Sequence, residues 1–231
     1  MKKLDSMAVN KDFYNKLKET LLPKGVTLVA VSKTKPVADI LELYELGHRD
    51  FGENYVQEMV DKQAQLPSDI RWHFIGHLQR NKVKYLAPFV HLIHGVDSFE
   101  LLQEINKQAQ KNSRVIPVLL QMHIATEETK YGLNEQEVKE LIASVADVPL
   151  PNVRIEGFMG MASFTDNKEQ VEGEYKKLQT LFKEYQALRT STIHFSRLSM
   201  GMSGDYETAI AQGSTIIRIG SLLFGARNTA P

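Results

Sequence analysis

The sequence predicts an α/β protein of the (β/α)8 TIM-barrel class, a single domain with an extra helix at its start. Three observations carry this. Eight short apolar segments recur along the 231 residues. Stretches with helical spacing of apolar residues separate them, and strict alternation of this kind makes a parallel sheet. Eight such units in a chain of this length close into a barrel. A doubly wound open sheet is the alternative, but no G-x-G-x-x-G fingerprint follows the first strand. No linker-like or low-complexity segment divides the chain.

Each element has its own signal. Ser6 to Leu22 is amphipathic, with Met7, Phe13, Leu17 and Leu21 near one face, and Pro23 and Gly25 end it. The first strand is Thr27 to Lys33, whose run Leu28-Val29-Ala30-Val31 suits a strand buried on both faces. Pro36 opens the next helix and Gly47 closes it. Asp50 to Asn54 is the second strand, and Tyr55 to Leu66 is helical by pattern. Ile70 to Gly76 is the third strand, with a helix through Phe89 after it. His91 to Val96 is the fourth, and Asp97 or Ser98 caps the helix that follows. Arg114 to Ile124 is the fifth, although Pro117 is awkward in a fully paired strand. Glu135 to Ala146 is a helix and Val153 to Met161 the sixth strand. Lys168 to Tyr185 is a long helix with a polar outer side, which suits a monomer. Thr192 to Met200 is the seventh strand, Asp205 to Gln212 a short helix, and Ile216 to Phe224 the eighth strand. Little chain follows it, so its closing helix is short or the first helix takes that place.

Composition narrows the function. The 28 basic and 28 acidic residues cancel, so nothing global draws the chain to nucleic acid. The cluster Arg80, Lys82 and Lys84 has no aromatic platform and reads as a solvated face. There is no cysteine, which removes disulfides and thiolate chemistry and suits a cytoplasmic location. The lysines near the N-terminus precede no apolar h-region, and no apolar run approaches the ~20 residues of a membrane span. His73 and His77 straddle a strand end and a loop, so they lack the helical spacing of a metal pair.

A barrel carries its chemistry at the C-terminal ends of its strands. Lys33 stands at the first of these ends. It is either a plain strand-end charge or a desolvated amine able to condense with an aldehyde. The run Ser199-Met200-Gly201-Met202-Ser203-Gly204-Asp205 joins a strand to a helix, and with Gly220-Ser221 it lies where barrels often hold phosphate. A plain glycine turn is the other reading. Arg218 sits inside Ile216-Ile217-Arg218-Ile219, so its charge is either paired with a barrel acid such as Glu156 or held for a ligand. An amine, a phosphate cradle and a cation together suit pyridoxal 5′-phosphate (PLP). A barrel enzyme acting on a phosphorylated sugar is a weaker possibility.

The motifs Ala30-Val31-Ser32-Lys33-Thr34-Lys35, Phe51-Gly52-Glu53-Asn54-Tyr55-Val56-Gln57-Glu58, Trp72-His73-Phe74-Ile75-Gly76, Leu198-Ser199-Met200-Gly201-Met202-Ser203 and Arg218-Ile219-Gly220 resemble those of the pyridoxal phosphate homeostasis proteins. That family looks like the barrel domain of alanine racemase standing alone. The resemblance runs from the first helix to Phe224-Gly225-Ala226-Arg227. It implies a Schiff-base lysine at Lys33 rather than Lys35. It also implies phosphate contacts from Ser199, Met200, Gly201, Ser203 and Gly220, a pyridine-facing Arg218, and Asn54 in the pocket. His77 stands where many relatives have proline, which bears only on the local loop. The implied role is binding and balancing PLP, with amino or keto acids or PLP-dependent apoenzymes as partners. A low-turnover PLP enzyme such as an amino-acid racemase is the alternative, although 231 residues leave little room for a second, base-supplying domain. Lys35 is expected to act, if at all, in passing the cofactor on.

Overall fold

The computed structural model describes residues 9–127 and 131–225. Eight parallel strands pair in chain order and the eighth returns to the first, so the sheet is a closed barrel. The strands are β1 Thr27–Val31, β2 Asp50–Glu53, β3 Arg71–Phe74, β4 Leu92–Val96, β5 Ile116–Met122, β6 Val153–Gly160, β7 Ile193–Ser199 and β8 Ile216–Ile219. The helices are α1 Lys11–Leu21, α2 Val37–Glu45, α3 Val56–Gln63, α4 Val83–Leu86, α5 Phe99–Lys111, α6 Glu135–Asp147, α7 Lys168–Tyr185, α8 Tyr206–Ala211 and α9 Ser221–Phe224. Among the described residues, no helix is long and apolar enough to cross a membrane. Ser6, Met7, Ala226 and Arg227 lie outside the described residues.

Two boundaries differ from expectation. β8 ends at Ile219, and Ser221 to Phe224, expected as strand, forms α9. A short apolar run does not distinguish a strand from a buried helical turn. β1 ends at Val31, which leaves Lys33 in the turn beyond it. Pro117 is tolerated as the second residue of β5, just before a register shift at Val118/Leu119.

Alternation along the strands sorts side chains to two sides. Val29, Leu92, Leu119, Met159 and Ile216 meet inside the barrel. The larger apolar layer lies between sheet and helices, where Phe51, Trp72 and Phe74 are buried under residues such as Ile40, Leu43 and Met59. α1 closes the gap beside the short α9. Asn10 caps it by accepting from the Phe13 N–H at 3.0 Å, and the Asn10 N–H donates to the Leu223 carbonyl at 2.8 Å. Tyr14, Leu17 and Leu21 are its buried face, each large side chain contributing on the order of 2 kcal/mol. The barrel is closed more firmly at β1–β8, with four paired positions, than at β7–β8, where only Ser199 and Ile216 are in register.

His48, under α1, gives a pH prediction. Its ring lies edge-on to Tyr14 and Phe51, and its Nε2–H donates to the Asp50 carbonyl at 2.8 Å. Burial pulls its pKa down to about 4. Between pH 6.5 and 4 the unfolded chain therefore binds a proton that the folded chain refuses, and stability falls as pH falls. The expected loss from this group is about 3 kcal/mol across that window. Urea unfolding from pH 7 to 4 measures it, and His48→Leu should reduce the proton uptake linked to unfolding by about one. An unchanged uptake would refute the assignment.

Candidate functional site

The turn after β1 is gripped from below. The Ser32 N–H donates to Gly52 O at 3.0 Å, and the Ser32 hydroxyl to Glu53 Oε1 at 2.6 Å. The Thr34 N–H donates to Glu58 Oε1 at 2.6 Å. Lys62, on α3, spends its three donors on Ser32 O at 2.7 Å, Glu53 Oε1 at 2.8 Å and Glu58 Oε1 at 2.7 Å. Its side chain is only 7% exposed and that of Glu53 is fully buried. Burial raises the Glu53 carboxyl pKa, and the Lys62 ammonium works against that rise. Thr34 has φ +63°, a conformation β-branched residues rarely adopt, so these bonds hold a strained turn. Lys33 lies within this turn and is half-buried. That differs from the expected buried strand-end lysine. The side chain of Lys35 reaches across to the carbonyls of Phe224 at 2.6 Å and Gly225 at 3.4 Å, tying the turn to α9.

Arg218 points into the barrel, since it is in register with the inward Val29. It is 4% exposed. Nη1 donates to Ser199 Oγ at 2.6 Å and Nη2 to Gly160 O at 3.1 Å. Guanidinium carries five N–H donors, so most remain unspent. The pairing with Glu156 does not form: Glu156 takes Arg154 and Arg197 instead, at 2.5 and 2.8 Å. Among the described residues, no carboxylate lies within ion-pair distance of Arg218. Burial lowers its pKa, but guanidinium keeps its proton.

The loop after β7 sorts its residues. Ser199 is fully buried, with its hydroxyl between Arg218 and His94. Met200 is also fully buried, its N–H donating to Ile216 O at 3.1 Å and its carbonyl accepting from Ser214 Oγ at 2.7 Å. These groups already pair within the protein, so a contact from either residue to a phosphate would add to, or replace, a bond made here. Ser199 is the last residue of β7 and its hydroxyl points into the barrel, while Met200 follows the strand. Gly201 has φ +97°, and a Cβ there would stand 2.6 Å from the Ala209 Cβ, so only glycine fits. The amides of Gly201, Ser203 and Gly204 make no hydrogen bond among the described residues. Gly220, whose N–H lies 3.4 Å from Ser203 Oγ, faces them across the seam. Asn54, just past β2, is half-buried and its Oδ1 is buried without a partner among the described residues.

The alanine racemase N-terminal domain family matches residues 4–228. The pyridoxal phosphate homeostasis protein of Aquifex aeolicus is 45% identical over 201 residues, covering 87% of this chain and 86% of that protein. This chain belongs to the pyridoxal phosphate homeostasis protein family. The Escherichia coli K12 member is 40% identical over 210 residues, covering 89% of this chain and 88% of that one. The structure of PipY of Synechococcus elongatus PCC7942 with PLP bound superposes with a TM-score of 0.84 at 33% identity, covering 95% of this chain and all of that one. A Clostridium difficile alanine racemase, at 16% identity and a TM-score of 0.73, shares the fold over 58% of its length.

Several residues of this family member escape a reading of the sequence. Glu53, Glu58 and Lys62 look like ordinary helix and strand-end charges. His73 looks like a core histidine, and His94 stands toward the end of the fourth strand. They are core residues, but His73 Nδ1 lies 3.0 Å from His94 Nε2, and His94 Nδ1 lies 2.9 Å from Ser199 Oγ. Tyr175 is fully buried, its pKa raised chiefly by burial. Asp50, His73 and His91 bring potential ligand atoms within 4.8 Å of one another, but Asp50 gives both oxygens to Arg71, at 2.8 and 2.5 Å.

Proposed function

We propose that this chain binds PLP as a Schiff base on Lys33 and serves PLP homeostasis. The observation that carries the reading is Arg218. A buried guanidinium with unspent donors and, among the described residues, no carboxylate within ion-pair distance calls for an acceptor. The ring nitrogen of PLP is such an acceptor. The other residues fit the same ligand. The free amides of Gly201, Ser203 and Gly204 beside Gly220 suit a phosphate, and the orphaned Asn54 Oδ1 suits a polar ring substituent or its bridging water. The PLP-bound relative and the family membership support it further.

Bound PLP supplies an aldehyde, a phosphate and an electron-accepting ring. Lys33 offers the amine, and the clamp of Glu53, Glu58 and Lys62 holds the turn that presents it. Arg218 would face the ring nitrogen as a donor that yields no proton, and the ring would then be a weaker electron sink than one paired with a carboxylic acid. That suits holding the cofactor better than rapid chemistry at Cα. We therefore assign Lys33, Asn54, Gly201, Ser203, Arg218 and Gly220 to the site, with Ser199 and Met200 behind it. The whole chain acts as one binding domain, with PLP-dependent apoenzymes or amino and keto acids as partners.

The test is an absorbance spectrum of the purified protein with PLP before and after borohydride, followed by mass mapping. A single reduced adduct on Lys33 is expected. An adduct elsewhere, or none, overturns the reading. Amino-acid Cα proton exchange above that of free PLP in the same preparation would favour a racemase instead.

A further inference from the structure

A line of hydrogen bonds runs down the inside of the barrel from its mouth to its opposite face. It passes from Arg218 Nη1 to Ser199 Oγ at 2.6 Å, and from Ser199 Oγ to His94 Nδ1 at 2.9 Å. His94 Nε2 lies 3.0 Å from His73 Nδ1, and His73 Nε2 lies 3.0 Å from Asp50 Oδ1. The carboxylate of Asp50 is held at the far end by Arg71. His73, His94 and Ser199 are at most 1% exposed.

With both rings neutral, the acceptor at Asp50 orders the protons between the two ends. Guanidinium is a donor only, so Ser199 Oγ accepts from Arg218 and must give its own hydrogen to His94. His94 then accepts at Nδ1 and carries its proton on Nε2. His73 in turn accepts at Nδ1 and donates from Nε2 to Asp50, an acceptor only. Both rings are neutral and every donor has an acceptor. A second proton on either ring would break this one-way order, since both nitrogens of that ring would then donate. The charges around them agree: Arg218, Arg197, Arg71 and His91 face the pair, against the carboxylate of Asp50. Burial and these cations depress both pKa values. Because guanidinium releases no proton, the line cannot conduct one from the mouth. What it can do is orient.

We propose that His94 and His73 are positioning residues for Arg218: through Ser199 they aim its remaining N–H donors at the mouth, in a one-way donor line ending on Asp50. The proposal rests on the reading of Arg218 as the partner of the PLP ring nitrogen. His94→Leu breaks the line. His94→Gln can preserve it, since its carbonyl accepts from Ser199 and its amide donates to His73.

Two measurements test this, and the first needs no cofactor. Nitrogen-15 NMR of histidine-labelled apoprotein is expected to find His94 and His73 neutral and protonated on Nε2 from pH 8 to 5. Either ring titrating near 6.5, or carrying its proton on Nδ1, overturns the donor line. The second is PLP binding and the pH dependence of the bound absorbance. His94→Leu should weaken binding about tenfold and displace the pH profile, with His94→Gln restoring both. If His94→Leu does not fold, Ser199→Ala makes the same cut with a smaller change in volume. A Lys33 adduct in the unsubstituted protein, with an unchanged profile in a folded His94→Leu or Ser199→Ala variant, defeats the positioning role alone. Absence of that adduct defeats the PLP reading instead.

Discussion

Methionine in place of Lys62 is expected to lower the stability of the chain by about 3–5 kcal/mol. The magnitude follows from what is left behind. Glu53 is fully buried and its Oε2 has no hydrogen-bond partner among the described residues, so Lys62 and Ser32 satisfy this carboxylate through Oε1 alone. Removing the ammonium strands a buried charge, and Glu58 loses its partner at the same time. The loss has a pH signature. Burial already raises the Glu53 pKa, and without Lys62 it rises further. A carboxyl whose folded pKa exceeds its unfolded one binds a proton more readily in the folded state. The variant should therefore regain stability as pH falls toward its raised pKa and be weakest above it. Urea unfolding of Lys62→Met, Glu53→Gln and the double variant reads this directly. The double variant should recover part of the loss, with a coupling of about 1–3 kcal/mol. If Lys62→Met unfolds within about 0.5 kcal/mol of the unsubstituted protein, the triad is no clamp.

Alanine in place of Lys33 should remove the PLP adduct completely. Borohydride reduction and mass mapping should find no modified lysine, and PLP should be lost on gel filtration. The proposed phosphate and ring contacts would remain, so weak reversible binding should persist, with Kd raised at least about a hundredfold. Lys35→Ala is the comparison. The Lys35 ammonium lies 2.6 Å from the Phe224 carbonyl, so its removal should leave the Lys33 adduct in place and loosen α9. An adduct that persists on Lys35 in the Lys33→Ala protein would mean that the clamped turn does not select between the two amines. Faster PLP release from Lys35→Ala would point to the tie between the turn and α9. Slower release would support the expected role in passing the cofactor on.

The barrel was legible because apolar strands and amphipathic helices alternate with so few interruptions. The end of β8 was not, since Leu222, Leu223 and Phe224 continue its apolar run into a helical turn. Lys33 and Arg218 stood out because a charge next to an apolar strand needs a reason. In the sequence Ser199 reads as part of the phosphate loop because it adjoins the glycines. Its burial depends on which face of β7 it occupies, and only the register against Ile216 reveals that. The histidine line was hidden for a similar reason: His94 and Ser199 are 105 residues apart and meet only across the closed barrel. Lys62 looked like one more lysine on a charged helix, because nothing local announces that its tip reaches Ser32 and Glu53.

The uneven closure of the barrel bears on how a ligand could leave. At β7–β8 one register pair is supplemented by irregular bonds, Met200 N–H to Ile216 O and Arg218 N–H to Gly201 O, and by the Ser214 hydroxyl. A hoop parts where its join is shortest. Amide exchange should accordingly be fastest along this join, and the loop built on it, from Gly201 to Gly204, borders the weakest part of the wall. Lys33 sits in the turn after β1, on the far side of the well-paired β1–β8 join. The grip on a phosphate and the grip on an aldehyde would thus rest on wall segments of different stiffness, and the phosphate end would be the first to let go.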